Sequence, residues 1–144
     1  MKKTALLLWL VFTCTTFPVT PRVLVITNPD TQLSTLDKKD VMDIFTGKRT
    51  RWNGSGKITL AILEDSELHR EFLQEYVKKT PSQFKNYWRR KVFTGEGRIP
   101  RTFANEAELI DFITSTKGAV GYISGPTTKP VKVLEISDSK GGSR

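Results

Sequence analysis

The chain has 144 residues, of which 38% are hydrophobic and 26% are charged. This length suits one domain, and the composition supports an ordinary core and excludes a disordered chain. The formal net charge of +8 predicts attraction to anions such as phosphate, nucleic acid or anionic lipid, although a merely soluble surface would also carry it. The single cysteine, Cys14, lies near the N-terminus, which excludes a disulfide or a cysteine-based metal site in the rest of the chain.

Residues 1–20 have the order of a secretory signal peptide. A positively charged start precedes an apolar run over residues 4–12, and polar residues and a proline follow. The run is shorter than the roughly 20 residues that a membrane-spanning helix needs. We therefore expect export to the periplasm, with cleavage between Cys14 and Thr20. An uncleaved N-terminal anchor, or a buried first strand, is the alternative.

The mature chain begins with a strand and a capped helix. The β-branched run at residues 22–27 predicts a central strand that ends at the turn Asn28-Pro29. Asp37 is a good N-cap, and apolar residues spaced by three and four give the following helix one apolar face. Gly47 ends this helix.

The middle of the chain repeats this order. Residues 58–63 predict a second buried strand, and a helix follows over about residues 67–79. Thr80 and Pro81 begin the next helix as N-cap and first helical residue. Pro100 forbids its continuation.

The last third predicts one helix and two strands. Asn105 caps the helix, and residues 119–123 form a strand in which Gly121 marks a close backbone approach. Residues 131–136 alternate apolar and polar side chains, as a strand with one exposed face does. Residues 138–144 are a polar tail.

Three spaced segments carry a family resemblance. They are residues 36–48 (LDKKDVMDIFTGK) with Trp52-Asn53, Tyr87-Trp88 with residues 93–95 (FTG), and residues 118–123 (GAVGYI). Together they resemble the phosphate ABC transporter substrate-binding family, over residues 23–136. Members of that family have two lobes and are roughly twice as long, so the resemblance implies a single lobe.

The order of elements and the resemblance predict one fold class. Alternating strands and helices predict an α/β fold. We expect a single three-layer lobe over residues 21–137, with a mixed, mostly parallel sheet flanked by helices, like a type 2 periplasmic binding protein.

The turn after the second strand is the predicted anion site. Backbone N–H groups and the helix dipole favour an anion at a helix start. The resemblance places the family's phosphate-binding turn here, but only Ser66 matches it, Ile62 stands at its arginine, and three acids, Glu64, Asp65 and Glu67, are added. Arg70, in the first helical turn, is the predicted cationic ligand beside Ser66. His69 is the other residue that could offset these acids.

Thr27 and Asn28 are the weaker predicted ligands. They follow the first strand, and ligands in open α/β sheets bind outside the carboxyl ends of strands, so we expect both loops at one edge. The alternative is purely structural: Ser66 only caps its helix, Arg70 pairs with Asp65 or Glu71, and His69 is exposed.

A second feature is a cluster of cations around Trp88, formed by Lys85, Arg89, Arg90, Lys91, Arg98 and Arg101. It indicates an acidic partner, membrane phosphate groups or only a solvated helix face. Cations interleaved with aromatics also suit nucleic acid, which export disfavours.

These observations predict an exported solute-binding-like protein that binds phosphate or another small oxyanion. The alternative is an envelope accessory or protein-interaction module that has lost the ligand, with an envelope protein or a second copy as partner. One histidine, no cysteine in the mature chain and no nucleotide-binding motif predict no enzyme, no metal and no cofactor.

Overall fold

The computed structural model describes residues 23–53 and 56–138. The predicted signal peptide, residues 1–20, lies outside the described residues. The strands are β1 (Leu24–Thr27), β2 (Thr35–Asp37), β3 (Thr59–Leu63), β4 (Arg101–Phe103), β5 (Ala119–Ile123), β6 (Lys132–Val133) and β7 (Glu135–Ser137). The helices are α1 (Lys38–Phe45), α2 (Glu67–Phe72), α3 (Pro81–Phe93) and α4 (Glu106–Ser115).

The main sheet has five strands in the order β4-β3-β5-β1-β6. β3 pairs in parallel with β4 and β5, whereas β1 is antiparallel to β5 and β6. Four strands therefore run in one direction and β1 runs in the other, which confirms the predicted mixed, mostly parallel sheet. β2 and β7 form a separate parallel pair.

Helices cover both faces of this sheet. Tyr122 of β5 stacks on Phe72 of α2, with ring centroids 3.9 Å apart. The adjacent Gly121 faces α4, where an added Cβ would lie 2.8 Å from Ile113 Cδ1. Successive strand residues point to opposite faces, so α2 and α4 lie on opposite sides of the sheet. This confirms the three-layer lobe and the close approach predicted at Gly121.

Each of the helices α1 to α4 begins at a side-chain cap. Asp37, Ser66 and Asn105 accept a hydrogen bond from the backbone N–H three residues ahead. Thr80 does the same and receives the reciprocal bond from the Gln83 side chain, which completes a capping box. The predicted N-caps Asp37, Thr80 and Asn105 are therefore confirmed, and Ser66 has the capping role that the purely structural alternative gave it.

Five parts of the chain differ from the prediction. The helix after Ser66 changes into a π-helical turn, Leu73–Val77, and ends at Lys78, whose φ of 59° is left-handed. The predicted strand 131–136 breaks at the buried Leu134 into β6 and β7, which belong to different sheets. The short strands β2 and β4 were not predicted. Asp138, assigned to the tail, pairs with Lys38 at 2.8 Å.

The segments that carry the resemblance contact one another. Trp52 Nε1 donates to Gly118 O at 3.1 Å, and Trp88 Nε1 donates to Phe45 O at 3.1 Å. The Tyr87 hydroxyl donates to the next carbonyl, that of Thr46. These aromatic residues therefore hold the end of α1 and the start of β5 in place, as packing residues. Within the described residues, no helix is both long and apolar enough to span a membrane.

Candidate functional site

A cavity of about 690 Å³ opens where β3 ends. One wall is the turn from β3 into α2, the second is one face of α3, and the third is the segment around β4. It is lined by Ile62, Leu63, Glu64, Asp65, Ser66, His69, Pro81, Phe84, Lys85, Trp88, Arg89, Val92, Ile99, Pro100, Thr102 and Ala104. The carboxyl end of β3 thus faces a space large enough for a small organic ligand.

Ser66 lies in this wall but its hydroxyl is already used. Its Oγ accepts from the backbone N–H of His69 at 3.1 Å. The two preceding acids, Glu64 and Asp65, are exposed at the mouth of the cavity. The turn therefore presents two negative charges and a helix start to the cavity, and the serine is the cap that orders this start.

His69 is the buried polar residue of the site, with 5% of its surface exposed. The Tyr122 hydroxyl accepts from the backbone N–H of Leu63 at 3.0 Å and lies 2.5 Å from His69 Nδ1. The Tyr122 hydroxyl can donate its one proton to Nδ1 while Leu63 donates to its oxygen, and we infer this arrangement. The neutral imidazole then carries its own proton on Nε2, which makes no hydrogen bond to any described residue.

The environment keeps this pair neutral. Burial lowers the pKa of His69, and the charge of Asp65 opposes this only in part. Burial also raises the pKa of the Tyr122 phenol. Since the histidine lines the cavity, the arrangement supplies a fixed, neutral N–H donor on a wall that contains acids. The sequence-based alternative of an exposed His69 is wrong. Its position three residues before Phe72, on the buried stripe, is the signal that could have revealed it.

The opposite wall supplies cations and apolar surface. Lys85 and Arg89 lie one turn apart on α3 and both line the cavity. Neither forms an ion pair with another residue of the described ranges. Phe84 and Trp88, on the same helix, add apolar surface to this wall. An anion in the cavity would therefore meet free positive charge on the side away from Glu64 and Asp65.

Arg70 does not line the cavity. Its guanidinium pairs with Glu67, three residues earlier, and both side chains are exposed. The purely structural alternative gave it a different acidic partner, Asp65 or Glu71. An exposed pair of this kind is screened by water and contributes little to stability.

Thr27 and Asn28 lie at the other end of the sheet. β1 is antiparallel to β5, with Leu24 opposite Ile123 and Thr27 opposite Val120. The prediction that they share an edge with Ser66 is therefore wrong, because it assumed that β1 runs parallel to β3. Both are buried, at 0% and 3% exposed. The Asn28 amide donates to the carbonyls of Ile113 and Thr114 at 2.9 and 3.1 Å, so it anchors the end of α4.

Comparisons with solved structures show the fold. A protein from Clostridium perfringens, assigned to the phosphate ABC transporter substrate-binding proteins and solved with bound phosphate, aligns with a TM-score of 0.62 at 20% identity. PstS from Borrelia burgdorferi gives 0.60 at 16% identity, and an ABC-type phosphate transport receptor from Vibrio cholerae gives 0.56 at 16%. The alignments cover 79%, 83% and 79% of this chain, but only 44%, 49% and 45% of those chains. The chain thus spans less than half of their length.

No curated protein matches the chain significantly. A family model described as "PBP superfamily domain" matches residues 19–143. With the structural matches, this confirms the resemblance that the three sequence segments indicated. The chain belongs to the PBP superfamily domain family.

Proposed function

We propose that the chain is an exported, periplasmic solute-binding domain whose cavity beside Ser66 binds a small oxyanion. The observation that carries the proposal is the unpartnered Nε2–H of His69 in a cavity that also holds two unpaired cations. Because Nε2 reaches solvent, this N–H is open to a ligand acceptor at the site.

The position of the cavity supports this proposal. Ligands of open α/β sheets bind outside the carboxyl ends of the strands, and the cavity lies at the carboxyl end of β3. Parallel pairing brings the carboxyl end of β4 to the same edge. The backbone at the start of α2 and the side chains of α3 converge there from opposite sides.

The walls select among oxyanions. Glu64 and Asp65 repel any anion, so the preference must come from the apolar surface that Phe84, Trp88 and Ile99 offer. Free inorganic phosphate would leave this apolar surface unused. We therefore expect a better fit for an oxyanion attached to an apolar group, such as an aryl phosphate or an aryl carboxylate.

The proposed ligand residues are Ser66, His69, Lys85 and Arg89. Ser66 orders the backbone N–H groups, His69 donates a neutral hydrogen bond, and the two cations supply charge. Arg89 replaces Arg70 as the principal cation, because Arg70 is exposed and paired with Glu67. Thr27 and Asn28 are not part of this site.

A single lobe encloses only part of a ligand. The chain spans less than half of the length of the matched structures, so we expect one side of the cavity to stay open to solvent or to a partner. An envelope protein or a second copy of the chain is the proposed closing partner. Without it we expect weak binding, with a Kd of about 0.1–1 mM, or roughly −4 to −5.5 kcal/mol.

The second candidate function is an accessory module of the envelope that has lost its ligand. Two observations favour it: the acids Glu64 and Asp65 at the cavity mouth, and a Ser66 hydroxyl that is occupied as a cap. In this case the cavity would be a remnant, and the lobe would act through its surface.

Calorimetry at low salt separates the two candidates. The full chain is titrated with phenyl phosphate, benzoate and inorganic phosphate. We expect heat from the aryl ligands and weaker binding of inorganic phosphate. Arg89→Gln should weaken aryl phosphate binding about tenfold, the size of one charge-assisted hydrogen bond. Arg70→Gln, which removes the same charge outside the cavity, should change it less than about twofold. If no ligand gives heat at millimolar concentration, the binding proposal is wrong and the accessory module is the function that remains.

A further inference from the structure

The outer face of α3 and the loop after it leave two large apolar side chains in solvent. Phe93 is 91% exposed and Ile99 is 69% exposed. Phe93 ends α3, and Ile99 lines the cavity, as Val92 and Arg89 do. Single exposed apolar residues are ordinary on a protein surface, but these two stand among cations.

The cations divide into two groups by their contacts. The Lys91 ammonium lies 5.7 Å from the Tyr87 ring centre, and the Arg101 guanidinium lies 5.4 Å from that of Phe112. These two cations contact aromatic rings and so contribute to the stability of the fold. Arg89 and Arg90 instead stand four and three residues before Phe93, on the same side of the helix. Arg98 immediately precedes Ile99.

We propose that Phe93 and Ile99, together with Arg89, Arg90 and Arg98, form a surface that docks on an anionic phospholipid bilayer. This set is the docking face. Its three arginines are exposed, and none forms an ion pair with another residue in the described ranges. Guanidinium groups bind phosphate through two parallel hydrogen bonds, while the apolar side chains enter the boundary of the acyl region.

Charge complementarity selects this occupant. A second copy paired across a two-fold axis would bring three arginines against three arginines, which is repulsive. The acids Glu64 and Asp65 lie across the cavity on the β3–α2 turn, and Glu96 is the one acid of the connecting loop. Two protruding apolar side chains also form too small a patch for a stable protein interface, which buries at least about 1,000 Å². A lipid surface needs no such patch.

Vesicle binding tests the docking face in the full chain. The probes are vesicles of phosphatidylcholine alone and vesicles with 30% phosphatidylglycerol, and the measurement is the ratio of the two partition coefficients. The apolar run at residues 4–12 can also bind lipid. The part of this binding that does not depend on lipid charge raises both coefficients equally, so it cancels in the ratio. Arg90→Gln with Arg98→Gln should lower the ratio about 25-fold, since each cation near an anionic surface contributes about fivefold.

The matched control is Lys57→Gln with Lys117→Gln. It removes two exposed cations that precede β3 and β5, at the opposite end of the sheet from the cavity, and we expect less than a threefold change. Phe93→Ser with Ile99→Ser should lower partitioning onto the anionic vesicles by at least tenfold, without loss of folding because both side chains are exposed. An equal effect of the control pair, or a ratio near one for the unchanged protein, would overturn the proposal. The latter result would indicate an acidic protein as the partner.

A fluorescent probe reports insertion directly. In a Cys14→Ser background, an environment-sensitive dye is attached at Phe93→Cys and, as control, at the exposed Thr128→Cys. The dye at position 93 should shift its emission to the blue on anionic vesicles, and the dye at position 128 should not. Equal responses at both positions would contradict docking through this face. None of these variants except Ile99→Ser touches the cavity, so failure here leaves the ligand proposal standing.

Discussion

His69 Nδ1 and the Tyr122 hydroxyl lie 2.5 Å apart and join α2 to the central strand β5. The same hydroxyl accepts from the backbone N–H of Leu63, the last residue of β3. One phenol therefore connects the strand that leads into the candidate site with the helix that begins there. The contact fixes the position of the histidine that lines the cavity, and the inferred donation from Tyr122 leaves the ring proton on Nε2.

The first prediction concerns pH. Burial lowers the pKa of His69, so the unfolded chain binds a proton near pH 6.5 that the folded chain does not bind. This contribution to stability is fully present above about pH 6.5 and is lost as the pH falls toward the lowered pKa of the folded state. We expect the Tm to fall between pH 7 and pH 5, and His69→Gln to remove this slope.

The acid groups act in a separate window. A hydrogen bond from Lys38 lowers the pKa of Glu75 and of Asp138, so their effect on stability appears only at more acid pH, below about 4.5. A Tm that stays constant from pH 7 to pH 5, or an equal slope in His69→Gln, would contradict the assignment of the upper window to His69.

The second prediction concerns the Tyr122 hydroxyl. Tyr122→Phe leaves the Leu63 N–H and His69 Nδ1 without their partner in the core, and should lower the free energy of unfolding by about 3 kcal/mol. Tyr87→Phe is the matched control, because its hydroxyl donates one hydrogen bond to Thr46 O from a half-buried side chain. Its loss should cost about 1 kcal/mol. Urea denaturation measures both, and equal losses would refute a special role for Tyr122.

The third prediction concerns Gly118, the first residue of the GAVGYI segment. Its φ is 78°, and an added Cβ would lie 2.1 Å from Lys57 O. Gly118→Ala should lower the free energy of unfolding by at least about 3 kcal/mol, because left-handed strain adds to a backbone clash. Gly95→Ala has nearly the same φ, 76°, with nothing within 4 Å, and should cost only about 1–2 kcal/mol. Similar losses of stability in the two variants would show that the positive φ alone, without the clash, explains why position 118 needs glycine.

Local chemistry predicted most of the fold. The caps Asp37, Ser66, Thr80 and Asn105 act within three residues of themselves, so short sequence patterns reveal them. The buried strands β1, β3 and β5 are apolar on both faces, so short apolar runs in the sequence predict them. β2 was missed because its three residues pair with β7, which lies about 100 residues away in the sequence.

The break at Leu134 depends on tertiary contacts as well. The Leu134 N–H donates to Val25 O, and the next N–H, of Glu135, donates to Ser34 O. The chain therefore changes partners within two residues. An alternating pattern predicts one continuous strand and contains no sign of this change.

The site was predicted only in part. Sequence reasoning found the Ser66 turn but chose Arg70, because proximity along the helix favours it. Arg89 comes to the cavity from α3, and only the tertiary arrangement shows this. The direction of β1 relative to β3 is likewise a property of the whole sheet, which is why Thr27 and Asn28 were placed at the wrong edge.

The most direct test of the proposed site uses the only histidine of the chain. In the untagged protein labelled with ¹⁵N-histidine, the two ring nitrogens of His69 are observed by NMR at pH 7 while phenyl phosphate is added. We predict a neutral ring protonated at Nε2, and a saturable shift of the Nε2 signal that is lost in Arg89→Gln. A ring protonated at Nδ1, or an Nε2 signal that does not move with the ligand, would contradict a binding site built around His69.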